Sequence, residues 1–167
     1  GSTTYAIHAD PLYGPWPSPL TRVSYLQLKN QVLDLRPVLT WTTEVTTVKP
    51  VSAGQFIGYG CTFRAIRDMR IAVLPVGYFE GYPRLAGEAA SYVLIQGARC
   101  PIVGRICMNM MMVDISHLPH CQVGDRVTLI GADGQDVVSA QDVAGWAKTI
   151  HYELLTRLHG DIPRQLI

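Results

Sequence analysis

Residues 38–51 read V-L-T-W-T-T-E-V-T-T-V-K-P-V, and this stretch decides the fold class. Its β-branched residues lose side-chain freedom in a helix but pack well on a pleated sheet. The rough alternation predicts a long strand beginning at Val38. Downstream, Q-F-I-G-Y-G (55–60), M-R-I-A-V-L-P-V (69–76), S-Y-V-L-I-Q-G (91–97), C-P-I-V-G-R-I (100–106), N-M-M-M-V-D-I (109–115) and D-R-V-T-L-I-G (125–131) are further strand candidates, most of them bounded by Gly, Pro or Asp. Short strands at this spacing predict a mainly β domain, a small antiparallel β-barrel of Greek-key type. I-Q-G-A-R-C (95–100) reads as a tight hairpin, and I-G-A-D-G-Q-D-V-V (130–138) as another with Asp133-Gly134 at its tip.

Beyond Val138 the period becomes helical. Ser139 with Asp142 three residues on resembles a capping box, and Val143, Ala147 and Ile150 share one face of a helix of about ten residues. H-Y-E-L-L-T-R-L-H-G (151–160) predicts a second short helix closing at Gly160, with Pro163 preventing continuation. Upstream, residues 3–36 are rich in Pro, Tyr and Ser and carry neither period, so they read as a linker, and Gly1-Ser2 as a cloning remnant.

Composition narrows the function classes. The chain has 167 residues, 48% hydrophobic and 16% charged, which suits one folded domain and argues against disorder. A net charge of +1 with scattered arginines offers no footprint for nucleic acid or an anionic membrane. No apolar run approaches the roughly 20 residues of a membrane span, so a cytoplasmic location is expected. Cys61, Cys100, Cys107 and Cys121 include no C-x-x-C pair and are expected to be reduced. His117, His120 and Cys121 fall in S-H-L-P-H-C (116–121), where turn chemistry around Pro119 outweighs a metal site.

Three segments place aromatic or polar groups among glycines: I-G-Y-G-C-T-F (57–63), V-G-Y-F-E-G-Y-P-R (76–84) and P-I-V-G-R-I-C-M-N-M (101–110). Glycine inside a strand weakens it and marks a bulge or the close approach of a ligand or another backbone. Barrel corners explain any one of these segments; three together point to a site.

In order along the chain, Y-G-C-T-F (59–63), G-Y-F-E-G-Y-P-R (77–84), I-V-G-R-I-C-M-N (102–109), G-D-R-V-T-L-I-G (124–131) and Y-E-L-L-T (152–156) resemble the motifs of the C-terminal β domain of pyridoxal-phosphate-dependent alanine racemases. The likeness spans Arg36 to Arg164, which sets residues 37–167 as that domain and 1–36 as a linker or a remnant of a preceding barrel. It implies an enzyme whose N-terminal (β/α)8 barrel holds pyridoxal phosphate on a lysine. It also implies a head-to-tail homodimer, each β domain reaching into the partner's barrel, and a small amino acid as substrate.

The resemblance further implies roles. Tyr59 is the base for L-alanine, and the backbone of Met108 contacts the substrate carboxylate with Asn109 beside it. Tyr152 hydrogen-bonds the cofactor phosphate, while Tyr78, Arg84, Arg105 and Ile150 flank the substrate access channel. A phenol, with a reference pKa of about 10, is a poor base near neutrality unless its surroundings favour the phenolate. No Lys or Arg flanks Tyr59 in sequence.

The chain also departs from the pattern. Lys29, Lys49 and Lys148 do not sit in the family's K-A-x-A-Y-G setting, so the chain alone is expected to be inactive, the cofactor being bound by the barrel. Asn109 and Glu80 each stand where the family has aspartate. The alternatives are a serine or broad-specificity racemase domain, or a non-catalytic β-barrel interaction module.

Overall fold

The computed structural model describes residues 37–165; the linker or barrel remnant expected at 1–36 lies outside the described residues. The strands are β1 (Trp41–Glu44), β2 (Thr47–Val51), β3 (Phe56–Ile57), β4 (Phe63–Arg64), β5 (Met69–Leu74), β6 (Tyr92–Ile95), β7 (Ala98–Pro101), β8 (Met111–Asp114), β9 (Arg126–Asp133) and β10 (Asp136–Val138). Two helices follow, α1 (Ala140–Trp146) and α2 (His151–Thr156). The domain is mainly β, with antiparallel pairing between the strands.

One sheet runs β1-β9-β6-β7, with β10 also on β9; a second runs β2-β5-β8, and β3-β4 form a small hairpin. The long strand expected from Val38 is in fact two. Val45 still bonds to the first sheet, donating to Asp125 O (2.9 Å) and accepting from Gly124 N (2.8 Å). One residue on, the Thr46 N–H and hydroxyl both donate to Val73 O (3.0 Å each) in the second sheet. The chain changes sheets there, as at the corners of packed sheets. An isolated bridge, Ile102 to Val113, also links β7 to β8.

Val93, Leu94 and Ile95 of β6 are all fully buried, and Val127, Thr128, Leu129 and Ile130 of β9 are buried in succession. Such continuous burial requires cover on both faces. Helix α1 supplies part of it by burying Val143 and Ala144 and setting Trp146 edge-on to Tyr92, with centroids 5.0 Å apart. Each fully buried aliphatic side chain contributes roughly 1.5–3 kcal/mol.

The expected hairpin at 95–100 turns on Gln96 (φ 53) and Gly97 (φ 74), the two positive φ values of a type I′ turn. In the next hairpin Asp133 pairs with Asp136, which moves the tip to Gly134-Gln135. The two tips meet where Gly97 N donates to Asp133 Oδ2 (3.1 Å), and Arg99 pairs with Asp136 beside them.

The capping box is present: Asp142 N donates to Ser139 Oγ (3.0 Å) and Ser139 N to Asp142 Oδ2 (2.8 Å). Helix α1 is shorter than expected because Lys148 adopts φ 56 just beyond it. Helix α2 stops at Thr156 rather than Gly160, since Arg157 and Leu158 dock their backbone on Gly81 and His159 N donates to Glu80 O (3.2 Å). The expected strand at 100–106 likewise ends at Pro101, because Gly104 turns the chain at φ 73.

Candidate active site

Ile57 and Ala65 anchor the β3–β4 hairpin in a buried cluster with Met69, Ile71 and Val103. The turn between its strands carries Tyr59 flanked by Gly58 (φ 83) and Gly60 (φ 74). These left-handed conformations suit glycine and lift the intervening side chain away from the core. Tyr59 is 72% exposed, in a domain that buries Tyr82 completely.

The back of this turn rests on residues 104–105. A Cβ on Gly58 would stand 3.3 Å from Arg105 N, and one on Gly104 only 2.9 Å from Ile57 O. Close backbone approach explains both glycines. Arg105 Nη1 lies 3.3 Å from where a Gly60 Cβ would be, so the cation missing from the sequence neighbourhood of Tyr59 arrives from a distant segment. Its Nε also faces Glu88 Oε1 at 4.0 Å.

The second glycine segment docks on the same strip of chain further along. Tyr78 N donates to Cys107 O (3.1 Å) and Phe79 N to Met108 O (2.9 Å). A Cβ on Gly77 would meet those two carbonyl oxygens at 2.1 and 2.3 Å, which no side chain can satisfy. Cys107 N donates to Met110 O (2.9 Å), curling residues 107–110 into a short loop. Among the described residues no hydrogen bond is made by the Met108 N–H. Met108 itself is 53% exposed and Tyr78 44%.

Asn109 lies next to this free donor. Its Nδ2 donates to Glu80 Oε1 (3.0 Å), and Gly77 N donates to Glu80 Oε2 (2.7 Å). In the sequence Glu80 is legible only as a departure from a family pattern; its partners depend on the meeting of two distant loops.

A groove of about 670 Å3 opens on the α2 side, with Tyr78, Tyr82, Arg84, Lys148, Thr149 and Glu153 in its wall. Arg84 and Lys148 are exposed, and Glu153 is engaged by Arg157 at 2.5 Å. Tyr152 is half-buried in the first turn of α2 against His151 (centroids 4.1 Å), and Ile150, exposed, immediately precedes the helix. Tyr59, Tyr78, Arg105, Met108 and Asn109 are thus gathered along residues 104–109. Arg84 joins Tyr78 at the groove, and Tyr152 and Ile150 lie at the start of α2.

Burial pushes the Tyr82 phenol above the ordinary tyrosine range, and its hydroxyl has no hydrogen-bond partner among the described residues. Burial also lifts the Cys100 thiol to about 12, which leaves it unreactive at neutral pH. The four cysteines are unpaired.

Residues 38–166 match the family model described as alanine racemase, C-terminal domain. An alanine racemase of Leptospira interrogans is 40% identical over 156 residues, covering 93% of this chain and 40% of that protein. The crystal structure of alanine racemase from E. faecalis superposes with TM-score 0.75 at 38% identity, over 80% of this chain and 35% of the other. Alanine racemase from Bartonella henselae with covalently bound pyridoxal phosphate superposes with TM-score 0.69 at 31% identity, over 77% and 35%. The chain therefore spans about 40% of the length of the Leptospira racemase, and that similarity, over 156 residues, reaches beyond residues 38–166 into the segment that precedes them. It belongs to the alanine racemase C-terminal domain family.

Proposed function

We propose that this chain supplies one wall of an alanine racemase active site, working against the pyridoxal-phosphate-bearing barrel of a partner subunit in a homodimer. The observation that carries this reading is the pairing of an exposed phenol with a free backbone donor. Tyr59 stands out on two left-handed glycines, and the Met108 N–H is left without a partner among the described residues on the same packed strip.

Racemisation moves a proton off one face of Cα and onto the other, so it needs a group on each side. Tyr59 serves one face, taking the Cα proton of L-alanine on its phenolic oxygen and returning it in the reverse direction. A lysine outside this chain serves the opposite face. The Met108 N–H receives the substrate carboxylate, a role for the backbone in which the thioether matters little. Arg105, held beside the Tyr59 turn, adds positive charge that favours the substrate carboxylate.

Pyridoxal phosphate, when bound, supplies the electron sink that makes the Cα proton removable. Of the residues present, Tyr152 suits its phosphate, since the hydroxyl can donate to it from the first turn of α2. Lys148 sits on a left-handed turn outside any helix or strand and has no covalent role. Tyr78, Arg84, Arg105 and Ile150 border the route by which a small amino acid enters.

The test combines this chain with an alanine racemase barrel domain, by fusion or mixing, and follows conversion of L-alanine to D-alanine with pyridoxal phosphate present. Racemisation by the combination and none by the chain alone is the expected result. Racemisation by the chain alone, or its failure in a fused protein that folds and binds the cofactor, would overturn the proposal.

A further inference from the structure

The geometry points to Glu80 as a positioning residue: paired with Asn109, it locks the loop that presents the Met108 N–H onto the loop that carries Tyr78. The inference rests on the function proposed above for that N–H.

Among the described residues, the two loops touch through little else that is directional. Two backbone bonds, Tyr78 N to Cys107 O and Phe79 N to Met108 O, align them on the Met108 side. Glu80 closes the other side by accepting from Gly77 N within its own loop (2.7 Å) and from Asn109 Nδ2 across the gap (3.0 Å). One carboxylate thus holds the turn of its own loop and grips the residue that follows Met108. A carboxylate accepts at both oxygens and donates at neither, so the side chain that follows Met108 must be a donor. Asparagine meets that requirement; aspartate does so only when a proton is shared between the two carboxyl groups.

Among the described residues, the other titratable or charged groups facing Glu80 are few. They are His159, whose ring stacks on that of Phe79 at 4.6 Å while its backbone N–H donates to Glu80 O, Arg157 on the same segment, and Tyr78 and Cys107 in the two loops. Arg157 is already engaged with Glu153. None replaces Asn109 as the donor across the gap.

Three variants test the pair: Asn109→Asp, Glu80→Gln, and the double variant. In the double variant the new glutamine amide donates to the new aspartate while its carbonyl oxygen still accepts from Gly77, so both bonds return with one polarity reversed. Amide-exchange protection of Tyr78 and Phe79 in the 167-residue chain should fall about tenfold in Asn109→Asp at pH 8, the scale of one hydrogen bond. Protection should recover as pH falls and one carboxyl group protonates, and should be close to wild type at both pH values in the double variant.

In the complete racemase, Asn109→Asp should raise KM for the amino acid about tenfold with kcat little changed, and the double variant should restore KM. Wild-type protection in Asn109→Asp at pH 8, or a double variant no better than that single one, would overturn the lock. An unchanged KM alongside lost protection would overturn its positioning role. A wild-type complete protein that does not racemise would instead refute the reading on which the inference rests.

Discussion

Tyr82→Phe should stabilise the protein, against the usual direction of a core substitution. The Tyr82 side chain is fully buried, its ring lies 5.9 Å from that of Trp41, and its hydroxyl has no partner among the described residues. A buried, unpaired hydroxyl carries a desolvation penalty of about 1–3 kcal/mol, which phenylalanine removes. The vacated space of about 10 Å3 costs only about 0.2 kcal/mol at about 24 cal/mol per Å3. Thermal unfolding should therefore rise by several degrees, at roughly 3–5 °C per kcal/mol for a domain of this size. The pH dependence follows from the same burial. The native phenol is held above the ordinary range, whereas the unfolded one ionises near pH 10. Folded stability is unaffected below about pH 10 and falls above it by about 1.4 kcal/mol per pH unit until the native group ionises. Tyr82→Phe lacks that loss, so its advantage should widen between pH 9 and 11 in paired melting curves. A variant less stable than wild type, with no extra advantage in alkali, would show that the hydroxyl has a partner and refute the reasoning.

Gly77→Ala forces a methyl against the Cys107 and Met108 carbonyls, so it should cost at least about 3 kcal/mol and free the Tyr78 and Phe79 amides to exchange, as denaturant melts and hydrogen exchange would record. Ser139→Ala removes the hydroxyl half of the α1 capping box and should lower stability by about 0.5–2 kcal/mol in chemical denaturation, without altering the Tyr59 turn.

What can be read from the chain depends on how locally each feature is determined. The 96–97 turn and the Ser139 cap involve adjacent residues whose chemistry admits few conformations, and both appear as expected. The break between Val45 and Thr46 is invisible because the pattern runs through it unbroken; it is set by Asp125 on one side and Val73 on the other. The permissive backbone of Gly160 points to the close of α2 there, yet docking against Gly81 ends the helix earlier. At the site, the three glycine-bearing segments are legible as unusual, but the reason for their glycines is not. Gly58, Gly77 and Gly104 each accommodate another segment's backbone, a constraint that exists only once the segments meet. Glu80 and Asn109 stand apart in the chain as two separate departures, and the fold joins them by a hydrogen bond.

The central claim is that Tyr59 moves the proton on the L face, and proton NMR in D2O tests it through the Cα signal of each alanine enantiomer. The account predicts that Tyr59→Phe in the complete racemase exchanges the Cα proton of L-alanine about 10²- to 10⁴-fold more slowly than wild type, with racemisation falling in step. Exchange of the D-alanine proton should persist. Wild-type exchange from L-alanine in that variant would contradict the assignment of Tyr59.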